Sequence, residues 1–277
     1  MAQQPSLIDQ PSEHFCETSS LSYLAAGERG PTLVLLHGWG AFKELWWSAM
    51  LQLAGNYRVF APDMPGHGGS AVGQTHTMRQ IAERIAMFCA ARGADQIALV
   101  GHSMGGNVAV ELALAHPTLV RRLALVDAAA AGPELPLYIH SYLNDVFGYA
   151  ALRLTLLFNR QVARYGPKIP HDHGGGMLLP GIRRLAYTAN YDAGEMRLLL
   201  RSLLTNPIEA RAGSIAVPTL VISGAHDPLV PAAFSRRLAA AIPGARYLEI
   251  AGAAHNPMDE RPREFAAALE QFLKGDT

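Results

Sequence analysis

Three residues in this 277-residue chain could together carry nucleophilic chemistry: Ser103, Asp227 and His255. An alcohol is a poor nucleophile at neutral pH. It attacks a carbonyl only when a base takes its proton, and the base needs a third group to hold its ring in the right tautomer. Ser103 lies in Gly101-His102-Ser103-Met104-Gly105-Gly106, between the apolar run Ile97-Ala98-Leu99-Val100 and a helical pattern over 107–116. A buried strand that turns at once into a helix lifts a serine hydroxyl clear of the sheet. Glycine suits positions 101 and 105, where strand and helix approach too closely for side chains.

The partners sit after later strands. Asp227 closes Gly224-Ala225-His226-Asp227, directly after the apolar run 219–223. His255 lies in Gly252-Ala253-Ala254-His255-Asn256, directly after the strand pattern 246–250. In the expected roles, Ser103 attacks, His255 carries the proton, and Asp227 orients the imidazole and stabilises its cation. Asp127 also ends a buried strand, 123–127, and stands as the alternative acid. The developing oxyanion needs fixed donors. The backbone N–H of Met104 and that of Trp39, in the loop after the strand 32–36, are the candidates. His37, His67 and His102 each sit among motif glycines and read as loop braces. His171-Asp172-His173 has ligand-type residues, but spacing i, i+2 in a Gly-rich loop makes a weak metal site. No metal and no cofactor are therefore expected.

Elements must deliver these loops to one place. Edge strands are predicted between 14 and 24, then strands over 32–36, 57–61, 97–100 and 123–127, with helices over 42–53, 77–92 and 107–116 between them. Such alternation predicts a mostly parallel sheet with helices on both faces, whose ligands bind beyond the carboxyl ends of the strands. From 128 to 212 no strand is predicted. Helical patterns over 135–158 and 177–204, separated by Gly174-Gly175-Gly176, suggest a helical lid inserted into the sheet domain. The expected division is a core of 13–127 and 213–277, a lid of 128–212, and a loose terminus of 1–12. Strands at 219–223 and 246–250, with helices over 231–241 and 261–274, complete the core.

The elements His37-Gly38-Trp39-Gly40, Asp63-Met64-Pro65-Gly66-His67-Gly68, the elbow at Ser103, Asp227 and His255 resemble those of α/β-hydrolase superfamily serine hydrolases. The match runs from about residue 32 to 274 and leaves the N-terminus and the insertion outside it. The resemblance implies an eight-stranded, mostly parallel sheet and acyl-enzyme chemistry. Within the superfamily, the His-Gly-Trp-Gly form and the length resemble carboxylesterases that cleave pimeloyl-carrier-protein methyl ester. Those enzymes usually carry Trp before the serine, where this chain has His102.

Composition narrows the rest. Apolar residues make up 49% and charged residues 17%, which suits a packed globular protein rather than a disordered one. Zero net charge gives no electrostatic case for nucleic acid or anionic lipid. No run reaches the length of a membrane span, and the first residues lack a signal-peptide pattern, so a cytoplasmic location is expected. The apolar insertion points to an ester with a largely apolar acyl group, free or bound to a carrier. Amide, lactone, thioester and C–C substrates, perhydrolase or haloperoxidase activity, and a ligand receptor on the same fold use the same residues.

Overall fold

Apolar runs with no polar face must be covered on both sides, and the sheet follows from that demand. The computed structural model describes residues 10–130, 132, 135–165 and 185–275. Among them the strands are β1 (Ser12–Cys16), β2 (Leu21–Ala26), β3 (Thr32–Leu36), β4 (Arg58–Pro62), β5 (Ile97–His102), β6 (Val120–Val126), β7 (Thr219–Gly224) and β8 (Arg246–Ile250). They form one eight-stranded sheet in the order β1-β2-β4-β3-β5-β6-β7-β8. Strand β2 runs antiparallel to both β1 and β4, and every other pair is parallel. This is the mostly parallel sheet the sequence predicts. Strand β1 reaches back to Ser12, which pairs with Ala25, so it starts two residues before the edge strand predicted from 14.

Alternation within the strands splits the core. Val34, Leu36, Leu99, Leu123 and Leu125 face one apolar layer, while Leu33, Leu35, Val100, Ala124 and Val126 face the other. Helices α2 (Met78–Ala91) and α3 (Met104–Ala115) pack on the first face. Helix α1 (Trp47–Leu53), preceded by a 3-10 turn over Lys43–Trp46, covers the second together with the C-terminal helix. Thr77 starts α2 with a capping box: its hydroxyl accepts the Gln80 N–H, and the Gln80 side chain accepts the Thr77 N–H.

Between β6 and β7 the described residues form no strand. They give α4 (Leu137–Ser141), α5 (Phe147–Tyr165) and α6 (Ala193–Leu204). The helical pattern over 135–158 is thus broken around Asn144, whose side chain accepts the N–H groups of Val146 and Phe147 and starts a new helix there. Within the described part of the pattern over 177–204, residues 185–187 are helical, 188–192 are not, and α6 starts anew where the Asp192 carboxylate caps it, accepting from Gly194 and Glu195. Gly174–Gly176 and His171-Asp172-His173 lie outside the described residues. Helices α7 (Ala232–Ala241), α8 (Pro257–Glu260) and α9 (Pro262–Lys274) complete the chain.

The topology decides where a ligand can sit. From β3 the chain crosses to β4 on one side, and β5 then lies on the other side of β3. The loops leaving β3 and β5 diverge there and open a crevice at the carboxyl edge. Strands β6, β7 and β8 follow in order beside β5, so the loops bearing Asp127, Asp227 and His255 line up along the same edge.

Candidate active site

Ser103 stands where β5 becomes α3, with φ 54° and ψ −117°. For a residue with a side chain that backbone is strained, and the surroundings hold it. The Ser103 N–H donates to the Val126 carbonyl at 3.0 Å, and the Ser103 carbonyl accepts from Gly106 and Ala129. The glycines are required by contact rather than by φ. A Cβ on Gly101 would strike the Gly105 carbonyl, and one on Gly105 would strike the carbonyls of Leu36 and His37.

Asp227 and His255 meet. Asp227 Oδ2 and His255 Nδ1 are 2.7 Å apart, and the carboxylate is buried. Its other oxygen accepts the N–H groups of Leu229 at 2.7 Å and Val230 at 3.0 Å. The His255 loop is braced by Glu260, whose carboxylate accepts the N–H groups of Ala254 and Asn256 on either side of the histidine. His102 donates its Nε2–H to the His255 carbonyl at 2.7 Å, which ties the elbow to that loop. Ser103 and His255 line the same cavity, with no hydrogen bond between them among the described residues. Such bonds often tighten only when substrate binds.

The loop after β3 passes close to the serine. A Cβ on Gly38 would come 3.0 Å from Ser103 Cβ. Within the described residues, neither the Trp39 N–H nor the Met104 N–H donates to a protein acceptor. His37 donates Nδ1–H to the Gly38 carbonyl and accepts the Met64 N–H at Nε2. His67 accepts the Gly40 N–H at Nε2 and donates Nδ1–H to the Pro65 carbonyl. Burial keeps both rings neutral, with pKa values lowered to about 4 for His37 and about 3 for His67. Only a neutral ring can accept at Nε2. These two histidines and His102 are the loop braces that the sequence suggests. Beneath them the buried Asp63 accepts from the Lys43 N–H and ammonium and from the Gly69 N–H.

Several partners carry no local sequence signal. The Trp39 indole donates to the Met196 carbonyl on α6 at 2.8 Å, and the Tyr191 hydroxyl donates to the Ala41 carbonyl at 2.5 Å. The insertion therefore holds the loop beside Ser103 across 150 residues or more of chain. Asp127 is the other surprise. It is fully buried beside the Asp227–His255 pair, with one ligating atom from each of the three lying within 4.8 Å of the others. Its carboxyl accepts the Gly224 N–H at 3.1 Å. Burial and the charge of Asp227 push its pKa up to about 10, so at neutral pH it is an acid hydrogen-bonded to Asp227. These three groups have the spacing to hold a cation.

Ser103 and His255 open onto a cavity of about 230 Å³. Its polar end is Gly38, Trp39, Ser103 and His255, and its far walls are apolar, with Leu135, Ile139, Leu200 and Leu203 supplied by the insertion.

Among known proteins, the pimeloyl-[acyl-carrier protein] methyl ester esterase of Edwardsiella ictaluri is 29% identical over 270 residues, 93% of this chain and 98% of that protein. The crystal structure of a bacterial membrane phospholipase A superposes with a TM-score of 0.77 at 28% identity, covering 97% of this chain and 87% of that one. An enol-lactonase from Burkholderia xenovorans shares the fold with a TM-score of 0.77 at 24% identity, covering 94% of this chain and 100% of that one. The family model described as alpha/beta hydrolase fold matches residues 31–262, and with that sheet and elbow the chain belongs to the α/β-hydrolase fold family.

Proposed function

We propose that the protein is a serine carboxylesterase in which Ser103 is the nucleophile, His255 the base and Asp227 the orienting acid. The reading rests above all on one observation: His255, paired with the buried Asp227, opens into the same apolar cavity as a serine held at a strained strand-to-helix turn. The Ser103 hydroxyl proton passes to His255 Nε2 as Oγ attacks the ester carbonyl carbon. The carbonyl oxygen becomes an anion between the Trp39 and Met104 N–H groups. Collapse of this intermediate breaks the bond to the alcohol, which leaves with the proton from His255. Water then attacks the acyl-enzyme with His255 again as base, releasing the acid and restoring Ser103.

The cavity supports a compact apolar acyl group. A void of roughly 150 Å³ holds a benzene ring, so about 230 Å³ suits a short chain or a single ring rather than a long fatty acyl tail. The helical insertion acts as the lid that selects this group. The similarity to the Edwardsiella esterase adds the methyl ester of a carrier-bound acyl chain as a candidate substrate.

A fluorophosphonate probe and a panel of p-nitrophenyl esters test the proposal. The wild type should label, Ser103→Ala should not, and turnover should peak at short acyl chains. Labelling that persists at another serine overturns the nucleophile. Labelling without sustained turnover would point to a ligand receptor on the same scaffold.

A further inference from the structure

We propose that Asn107 is a positioning residue: it registers the insertion against Ser103 and so sets the size of acyl group that the cavity admits. The inference rests on the esterase reading above. Asn107 lies in the first turn of α3 and is fully buried, in a stretch otherwise made of Gly105, Gly106, Val108 and Ala109. A buried amide costs stability unless its polar atoms are paired, and an apolar residue would fill a core position without that demand. Here every side-chain bond leads away from the helix to the insertion. Nδ2 donates to the Ala129 carbonyl at 3.1 Å and to the Asn206 carbonyl at 2.9 Å. Oδ1 accepts the Asn206 Nδ2–H at 2.8 Å. Backbone carbonyls can only accept, so the partners fix which way the amide points.

Ala129 and Asn206 lie near the two ends of the insertion. Ala129 donates its N–H to the Ser103 carbonyl at 3.1 Å and lines the cavity, so the Asn107 amide holds the peptide that touches the nucleophile. The two ends are also joined to each other. The Ile208 N–H donates to the Ala130 carbonyl at 3.0 Å, and a Cβ on Gly132 would strike the carbonyls of Leu203 and Leu204. One turn further along α3, the buried Glu111 accepts from Asn206 Nδ2 at 2.8 Å and from the Arg211 guanidinium. Arg211 also donates to Asn206 Oδ1 at 3.1 Å. A buried network satisfied in this way admits one register, which contact between apolar surfaces alone does not impose. Leu135 lies just beyond the first end and Leu203 just before the second, and both are walls of the cavity. A shift of either end along α3 therefore moves the apolar wall while Ser103 stays at the end of β5.

The test compares kcat/KM on p-nitrophenyl butyrate with that on p-nitrophenyl octanoate, using the full chain. A merely structural defect lowers the amount of folded enzyme, scales both esters alike and leaves their ratio unchanged. A displaced wall changes the ratio. One methylene of room in an apolar pocket corresponds to about tenfold in selectivity, so the preference for butyrate should fall about tenfold in Asn107→Ala. It should fall less, in the same direction, in Asn206→Ala, which keeps the backbone carbonyl that Asn107 holds. Asn206 is only half-buried, so this second variant decides the matter if Asn107→Ala does not fold by circular dichroism. Fluorophosphonate labelling at Ser103 separates the two readings. A wild type that does not label there fails the esterase assignment and this inference with it. A wild type that labels, with a ratio unchanged in the folded variants, overturns this inference alone.

Discussion

The carboxyl of Asp127 lies against that of Asp227, at the ends of neighbouring strands, and the pair is held in one asymmetric state. Burial and the charge on Asp227 raise Asp127 to about 10, and the Gly224 N–H that favours its ionised form does not offset them. Asp127 therefore serves as a hydrogen-bond donor to Asp227, while Asp227 turns its other donors toward itself from Leu229, Val230 and His255. Two acids at adjacent strand ends thus take different parts. One faces the histidine, and the other supports the first.

Activity should separate them. Asp227→Asn removes the acceptor that fixes the His255 tautomer, and kcat should fall by about 10⁴, as for the same change in other triads. Asp127→Asn keeps an N–H to offer Asp227 and a carbonyl to accept the Gly224 N–H, so kcat/KM should stay within about tenfold of wild type. Both can be read on a short p-nitrophenyl ester. The reverse order would transfer the orienting role to Asp127.

Stability should respond in the opposite sense. Asp127 has a folded pKa raised from 3.8 to about 10, so across that window the native protein keeps a proton that the unfolded chain releases. Stability is then lost as pH rises, by at most about 1.4 kcal/mol per pH unit. Asn carries no such penalty. Asp127→Asn should therefore melt higher than wild type, with a margin that widens from acid toward alkaline pH. A margin that stays constant with pH would mean that Asp127 is ionised in the native state.

Most of this site was legible before the fold because each loop follows a strand ending at the same edge. Gly101 and Gly105 marked the elbow, and the order Ser103, Asp227, His255 matched the ends of β5, β7 and β8. Contacts between distant segments left no such trace. The Trp39 indole finds Met196, and Tyr191 finds Ala41, only because the insertion folds back over the edge. Asp127 was visible as a buried strand end, but its protonation depends on where Asp227 lies in space. Helix limits in the insertion shifted for a local reason: Asn144 and Asp192 cap new helices inside apolar patterns that continue past them.

Acid should loosen the loop beside Ser103. His37 and His67 are neutral acceptors in the native state, with folded values of about 4 and about 3 against 6.5 for the free side chain. A histidine whose folded pKa is depressed contributes stability that is complete above 6.5 and is lost as pH falls toward the folded value. For His37 alone that is about 3 kcal/mol over the window. Asp127 gains stability over the same range and masks part of the loss. The urea midpoint should therefore fall between pH 6.5 and pH 4 in wild type, and more steeply in Asp127→Asn. A midpoint that holds steady in the variant would mean that His37 and His67 are not neutral acceptors.

Trp39 offers the finest test of how the insertion serves the chemistry. Its backbone N–H is the proposed oxyanion donor, and its indole N–H is the tether to α6. Trp39→Phe keeps the first and removes the second. Losing a single neutral hydrogen bond corresponds to about 0.5–1.5 kcal/mol, so kcat/KM on a short ester should drop about two- to tenfold. The melting temperature should fall slightly as Met196 loses its donor. A drop of about 10²–10³ would instead mean that the loop has swung away and taken the oxyanion donor with it. An unchanged kcat/KM would show that the loop is positioned by His37 and His67 alone, and the tether would then have no part in the reaction.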